Sequence, residues 1–238
     1  GSHRVAEITS CEILDPRLVE LLPHFKGLIL SLSVRTAVPG IEFIAADSGS
    51  VVLLPHTTPL SEQDKIELRG FAAKHEVSIY LQSGNRDVVP LDDDQPLQYG
   101  LPEFDLTLNF GPGHFTQINP EINRKLVARV MELLEPVPGD RIADLFCGIG
   151  NLTLPIGRLG ADALGLELIA QMVEQATFNA AENGLAERCS FDTLDLLELQ
   201  PADLKRWGRI NKVLLDPPRG GALAVCQVMR KIGAERVV

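Results

Sequence analysis

The first hundred residues show the two-residue period of β-strands in several places. Residues 28–34 carry leucine or valine at every second position, which predicts a strand with one better buried face. Apolar segments at 42–47 and 51–55, separated by Ser-Gly-Ser, predict a hairpin. Residues 77–82 predict another strand.

Helix signals follow a different spacing. Ser61, with Asp64 three residues later, has the pattern of a capping box and predicts a helix that ends near His75. A cap residue followed by proline at 119–120 predicts a second helix. Apolar residues recur along one face of this second helix at Ile122, Leu126, Val130 and Leu133.

After residue 136 the chain alternates between strand and helix patterns. RIADLF, ALGLEL, SFDTLD and KVLLD predict strands, while residues 170–183 and 222–232 predict helices. Such alternation is typical of a parallel sheet covered by helices on both faces. We therefore predict an α/β fold, with a doubly wound, mainly parallel sheet at 106–238 preceded by a small α+β domain at 1–105.

Charge and apolar content restrict the possible partners. The net charge is −10, and residues 1–110 hold 8 Lys and Arg against 16 Asp and Glu, whereas residues 111–238 hold the remaining 14 against 16. Because polyanions bind basic surfaces, a nucleic acid is expected to contact mainly the later half or segments outside this chain. No apolar run approaches the roughly 20 residues of a membrane span, so we expect a soluble cytoplasmic protein without membrane contact.

Cysteines and the first residues complete the compositional picture. The four cysteines are scattered without a CxxC pair, which favours reduced thiols over a disulfide framework. They are Cys11, Cys147, Cys189 and Cys226. Gly1-Ser2-His3 resembles the remainder of a cleaved purification tag, so we expect the natural chain to extend further toward its N-terminus.

Candidate chemistry lies at the predicted strand ends. In DLFCGIGNLTLP, Gly148 and Gly150 allow close backbone approach to a ligand, and the third glycine of the dinucleotide fingerprint is missing. Glu167 ends the next strand, where a carboxylate can accept both ribose hydroxyls of a nucleoside. Asp195 and Asp216 follow the third and fourth strands. Ligands of such sheets bind at this edge, so we expect the four strand ends to converge on one nucleoside ligand.

Together, FTQIN with the following helix, DLFCGIGNLTLP, Glu167 and DPPRGG resemble the RNA uracil-5-methyltransferases, and among these the bacterial 23S rRNA enzymes. The resemblance is strong over 111–238, extends back to about residue 101, and is looser before that. It implies a Rossmann-like methyltransferase sheet, S-adenosyl-L-methionine as cofactor and RNA as partner. It also implies contacts to the cofactor from six residues, which are Gln117, Phe146, Asn151, Glu167, Asp195 and Asp216. Phe115 would lie against a flipped-out uracil.

The resemblance also implies groups that these residues do not supply. In this family a cysteine thiolate adds to C6 of uracil, and a carboxylate base later removes the C5 proton. That cysteine lies in a Ser-Cys-Asn-Pro motif after the fifth strand, so we expect a chain truncated within its sheet, without catalytic residues and inactive alone. Cys11 resembles the last ligand of the family's [4Fe–4S] cluster, whose other three cysteines are missing here, so we expect a free thiol and no cluster.

Other interpretations remain open. The chain could come from a tRNA uracil-5-methyltransferase of the same family, or act only as a cofactor-binding or RNA-binding module. Amino-methyltransferases of nucleic acids also carry Asp-Pro-Pro, but they need an aromatic residue where this chain has Arg219. An incomplete sheet would leave an edge for self-association by strand pairing.

Overall fold

The computed structural model describes residues 11–12, 14–84, 88–114, 116–117 and 119–238. The chain forms two compact units. The first unit runs to Gln98 and includes Gly111–Asn119, and the second unit comprises Tyr99–Phe110 and Pro120–Val238.

The first unit combines helices with a four-stranded sheet in the order β1-β2-β3-β4. β2 and β3 are parallel and the other two pairings are antiparallel. The predicted hairpin is confirmed, since Ala46 pairs with Gly49 at its turn. Its helices are α1 (Pro16–Val19), α2 (Leu22–Ser31) and α3 (Glu62–His75), and its strands are β1 (Glu42–Ala46), β2 (Gly49–His56), β3 (Ser78–Ser83) and β4 (Val88–Pro90).

The strand predicted at 28–34 is wrong, because most of this segment belongs to helix α2. Phe25, Leu28 and Leu32 are buried, at the spacing of one helical face, whereas Leu30 is 58% exposed. Over so short a segment, the positions of the leucines fit both the two-residue period of a strand and the 3.6-residue period of a helix. The buried face of α2 packs against the sheet of the first unit, and this packing stabilises the helix over a strand.

The capping box at the start of α3 is confirmed. Asp64 is buried, and its carboxylate accepts hydrogen bonds from the backbone N–H and hydroxyl of Ser61 and from the same two groups of Ser33. Burial alone raises the pKa of Asp64, but these four hydrogen bonds outweigh it and lower the pKa to about 2. Asp64 therefore joins α3 to the end of α2 as a charged acceptor.

The Asp64 carboxylate makes stability depend on acid pH. Its folded pKa lies below the ordinary value of 3.8, so its stabilising contribution is present above that value and is lost as the pH falls through about 2. We expect Asp64→Ala to lower the free energy of unfolding by about 2 kcal/mol at neutral pH. Urea denaturation at a series of pH values measures this, with the exposed Asp93→Ala as control. Equal losses at neutral pH and at pH 2 would contradict the prediction.

The second unit contains a five-stranded parallel sheet in the order β11-β10-β7-β8-β9. The chain proceeds outward from β7 in one direction and then crosses to the other side, which is the topology of a doubly wound sheet. The predicted fold class is confirmed. The strands are β7 (Arg141–Leu145), β8 (Asp162–Glu167), β9 (Cys189–Thr193), β10 (Lys212–Leu215) and β11 (Arg236–Val237).

Helices and a small ribbon surround this sheet. The ribbon consists of β5 (Leu97–Leu101), which begins in the first unit, and β6 (Leu106–Phe110). The helices of the second unit are α4 (Pro120–Leu134), α5 (Thr153–Arg158), α6 (Ala170–Glu182) and α7 (Leu223–Ile232). None of the helices in the described part of the chain has the length and apolar character needed to cross a membrane.

Helix α4 occurs where it was predicted, but its buried face differs from the predicted apolar stripe. Its buried residues are Asn123, Val127, Met131 and Leu134. Three residues of the stripe are 40–56% exposed, namely Ile122, Leu126 and Leu133. The helix carries apolar residues on adjacent faces, and tertiary packing selects the face that includes a buried asparagine.

Asn179 of α6 and Asn183, the residue that caps the C-terminus of this helix, form hydrogen bonds with the backbone of β6. The Asn179 side chain accepts from the N–H of Asn109 at 2.8 Å and donates to its carbonyl oxygen at 3.0 Å. Asn183 makes the same pair of hydrogen bonds with Thr107 at 3.0 and 2.8 Å. Residues four apart on a helix thus match residues two apart on a strand, and these amides dock the ribbon on α6.

Candidate functional site

The carboxyl ends of four parallel strands bring the predicted cofactor residues together. Leu145, the last residue of β7, pairs with Leu166 of β8 and with Leu215 of β10. Glu167 pairs with Thr193 at the end of β9. Residues that directly follow these strands therefore share one edge of the sheet, which is where such folds bind ligands.

The turn after β7 contains residues with positive φ angles at this edge of the sheet. Phe146 adopts φ +69°, which is uncommon for a residue with a side chain, and its N–H donates to the carbonyl of Leu166 at 2.9 Å. Gly150 has φ +92°, and a Cβ added there would lie 2.4 Å from the side chain of Leu154. The positive φ favours glycine at this position, and a side chain there would also displace the end of the Leu154 side chain of α5.

Glu167 closes the turn from the neighbouring strand. Its carboxylate accepts hydrogen bonds from the N–H groups of Gly148 at 3.2 Å, Leu168 at 2.8 Å and Ile169 at 3.1 Å. The side chain is half-buried, so part of it remains accessible. A carboxylate fixed in this way next to a glycine turn can accept the two hydroxyls of a ribose.

A buried carboxyl group lies beneath the turn. Asp144 is 1% exposed and accepts a hydrogen bond from the hydroxyl of Thr153. Burial raises the pKa of Asp144 to about 7, the Thr153 hydrogen bond opposes this, and the negative charges of Asp216 and Glu167 raise it further. These three carboxyl groups interact electrostatically, and such a concentration of negative charge suits a cationic ligand.

The other two predicted acids lie at the same edge. Asp195 is half-buried, two residues after β9, and its carboxylate accepts from the N–H of Leu197 at 2.9 Å. Asp216 directly follows β10 and is exposed. The structure thus brings Phe146, Glu167, Asp195 and Asp216 to one edge of the second unit.

Asn151 is held by a network that the sequence did not indicate. Its side-chain oxygen accepts hydrogen bonds from the hydroxyl of Tyr99 and the amide of Asn123, each at 2.9 Å, and its amide nitrogen donates back to Asn123. Burial raises the pKa of Tyr99, so its hydroxyl stays a donor. The sequence carries no signal for this network, because Asn123 is known to lie on the buried face of α4, with Val127 and Met131, only from the packed structure.

Three predicted site residues precede the turn that follows β7. Gln117 is exposed and belongs to the first unit, and Phe115 lies outside the described residues. Cys11 is a partly buried free thiol. A [4Fe–4S] cluster requires four ligands, usually thiolates, and the first unit contains only this cysteine, so its residues do not fit such a cluster. Among the described residues there is no group of three or more side chains that could hold a metal ion.

The two buried cysteines of the second unit are unsuited to nucleophilic attack. Burial, together with the charges of Asp144 and Glu167, holds the pKa of Cys147 well above its usual range. Burial likewise raises the pKa of Cys189 to about 12. Cys147 instead fills space, because a Cβ added to Gly165 would lie 2.9 Å from its sulfur. Neither thiol is available as the thiolate that attack on a pyrimidine requires.

Comparisons with known proteins identify the family of this chain. The sequence profile of the family described as tRNA (Uracil-5-)-methyltransferase matches residues 7–233. The chain is 41% identical over 233 residues to a 23S rRNA (uracil(1939)-C(5))-methyltransferase RlmD of Nitrosospira multiformis, and 42% identical over 231 residues to that of Aromatoleum aromaticum. These matches cover 97% and 96% of this chain but 53% of each relative. The chain therefore spans about half the length of the curated relatives it matches.

Solved structures support the fold. A tRNA (uracil-54, C5)-methyltransferase of Pyrococcus abyssi, in complex with S-adenosyl-L-homocysteine, superposes with a TM-score of 0.68 at 19% identity, over 97% of this chain and 59% of that one. The tRNA m1G37 methyltransferase of M. jannaschii gives a TM-score of 0.55 at 14% identity, over 91% and 61%. At identities this low, the two superpositions establish a shared fold and nothing further.

Proposed function

Since the chain belongs to the tRNA (uracil-5-)-methyltransferase family, we propose that it forms the cofactor-binding part of an S-adenosyl-L-methionine-dependent enzyme that methylates C5 of a uridine in 23S rRNA. The observation that carries this proposal is the edge where the glycine turn, Glu167, Asp195 and Asp216 meet. We further propose a cytoplasmic location, where ribosomal RNA is modified.

The residues of this edge fit the cofactor by charge and shape. Glu167 is positioned to accept the ribose hydroxyls, and Gly148 and Gly150 let the backbone approach the ligand. Phe146, Asn151, Asp195 and Asp216, with Gln117 of the first unit, are proposed as further contacts. S-adenosyl-L-methionine supplies a methyl group made electrophilic by its positive sulfonium, and the carboxylates of Glu167 and Asp216 favour that positive charge.

Chemistry at uracil needs groups that this edge does not provide. Cys147 and Cys189 are held as neutral thiols, which disfavours either as the nucleophile. We therefore assign the nucleophilic cysteine and the base to the family's Ser-Cys-Asn-Pro segment and the residues after it, outside these 238 residues. Phe115 is proposed to lie against the target uracil. The 238-residue chain is then a cofactor-binding module without turnover.

A tRNA uridine is the second candidate substrate. The family description and the Pyrococcus abyssi relative favour it, whereas the 41–42% identical relatives are named for 23S rRNA. We propose the 23S substrate because the relatives named for it match nearly the whole chain.

Cofactor binding tests the proposal. Isothermal calorimetry of the 238-residue chain is expected to give a saturable heat with S-adenosyl-L-methionine at up to millimolar concentration, and a smaller response with adenosine. A folded chain, checked by circular dichroism, that gives no heat would refute the cofactor assignment. A tritiated-methyl assay of the full-length parent on 23S rRNA and tRNA transcripts then separates the two substrates, and labelling of tRNA alone would contradict the 23S assignment.

A further inference from the structure

We propose that a basic cleft at the amino-terminal edge of the second unit's sheet binds the phosphodiester backbone of RNA. This amino-edge cleft has a volume of about 490 Å³ and is lined by Arg141, Lys205, Arg206, Arg209 and Asn211, together with Gly139, Trp207 and Gly208. It lies where β7 and β10 begin, at the opposite end of the strands from Glu167. It is therefore separate from the cofactor edge.

The positive charge of the amino-edge cleft favours a phosphodiester ligand. Four of the lining side chains are cations, and among the described residues no carboxylate lines the cleft, in a chain whose net charge is −10. Arg206 pairs with Asp192 at 3.1 Å and Arg209 with Glu235 at 3.6 Å, and these pairs are exposed and therefore weak. Lys205 makes no ion pair with any residue that the structure describes. The cleft thus keeps a local excess of positive charge.

Hydrogen bonds hold the Arg141 side chain and the backbone of the cleft in place before a ligand binds. Arg141 donates from Nε to the carbonyl of Trp207 at 3.0 Å, which fixes the guanidinium and leaves its terminal nitrogens as donors. The backbone N–H of Arg141 also donates to the side chain of Asn211 at 2.9 Å. Trp207 is 3% exposed and anchors the segment that carries Lys205, Arg206 and Arg209. An ordered arginine is a good ligand for phosphate because its donors match two oxygens at once.

The form of the cleft favours a polymer backbone over a free nucleotide. The ring of Trp207 is buried, so the cleft presents no aromatic surface on which a base could stack. Contacts made only to phosphates position a nucleic acid without reading its sequence. The choice of RNA as the polyanion rests on the proposed function. In that setting, the amino-edge cleft would hold a segment of the substrate remote from the target base.

A matched pair of double variants tests the inference. Lys205→Gln with Arg209→Gln removes one cation that forms no ion pair with a described residue and one exposed cation that pairs with Glu235. Lys125→Gln with Arg129→Gln makes the same change on the exposed side of α4, where Arg129 pairs with Glu132. The probe is a fluorescein-labelled single-stranded RNA, followed by anisotropy at a series of salt concentrations.

We expect the cleft variant to bind the RNA about tenfold more weakly, with the slope of log affinity against log salt reduced by roughly 0.7 per lost phosphate contact. The α4 variant should stay within about twofold of the unaltered chain, as expected for cations that touch no phosphate. Equal effects of both variants, no effect of the cleft variant, or no binding by the unaltered chain at low salt would overturn the proposal. Competition by inorganic phosphate as effective per phosphate as RNA would also overturn it.

Calorimetry with S-adenosyl-L-methionine separates this inference from the proposed function. The cleft variant should retain the heat of the unaltered chain, which also shows that it is folded. If the cofactor binds but the RNA result fails, only the amino-edge cleft is refuted. If the cofactor does not bind to the unaltered chain, the proposed function fails whatever the RNA result.

Discussion

Replacing Asn179 with alanine is expected to lower the free energy of unfolding of the second unit by about 3 to 4 kcal/mol. Asn179 is 0% exposed, and its amide bonds both backbone groups of Asn109 and the carbonyl of Ile149 in the cofactor turn at 3.1 Å. Alanine would take these partners away from three polar groups that water reaches poorly. Each such group costs about 1 to 3 kcal/mol when it is left unsatisfied.

Asn183→Ala is the matched control. Asn183 is half-buried and makes the same two hydrogen bonds with Thr107, both of which are exposed, and its amide also donates to the carbonyl of Asn179 at 2.7 Å. Water can replace its amide there, so we expect a loss of roughly 1 kcal/mol or less. Urea denaturation of both variants, followed by circular dichroism, measures the difference. Similar losses for the two variants would show that burial of the Asn179 amide does not matter.

Glu167→Gln is expected to weaken S-adenosyl-L-methionine binding by about 10-fold to 100-fold, since hydrogen bonds to a charged group contribute about 1.5 to 3 kcal/mol each. A carboxylate only accepts, so it can take both ribose hydroxyls, whereas the glutamine amide offers one acceptor and one donor group. The glutamine oxygen can still accept from Leu168 and Ile169, whereas its amide nitrogen cannot accept from the N–H of Gly148, so the variant also loses one hydrogen bond of the turn. Calorimetry measures the change.

Glu182→Gln is the control for this variant, because Glu182 is an exposed glutamate at the end of α6. Its cofactor affinity should equal that of the unaltered chain. Thermal unfolding of both variants should also resemble that of the unaltered chain. A folded Glu167→Gln variant with unchanged affinity would remove Glu167 from the cofactor site.

The sequence was sufficient to predict a structural element where the interactions that form the element lie within a short segment. The capping box of Ser61 and Asp64 satisfies the helix end within four residues, and the structure contains it. The glycine turn and the strand ends that carry Glu167 and Asp216 follow from strands alternating with helices, because parallel strands end at one edge. The doubly wound fold and the edge that carries these residues were therefore predictable.

Segments with ambiguous patterns were decided by what packs against them. The leucines of 28–34 suit a strand or a helix, and only the helical face that meets the first unit's core explains the burial of Leu28 and Leu32. On α4, apolar residues on two adjacent faces left the choice to packing, which buried Asn123 with Val127. Local periodicity cannot contain this information because the selecting contacts come from distant residues.

The sequence by itself determined the alternation of elements, the glycine turn and the acids at the strand ends. Tertiary structure alone decided the partners of those groups, because they are brought together across tens of residues. Tyr99 and Asn123 reach Asn151 in this way, and Arg141 meets the 205–209 segment. Burial raises the pKa of Asp144, and the charges of Asp216 and Glu167 raise it further. Glu167 at the end of β8 is visible in the sequence, whereas the field of carboxylates that surrounds it exists only in the folded sheet.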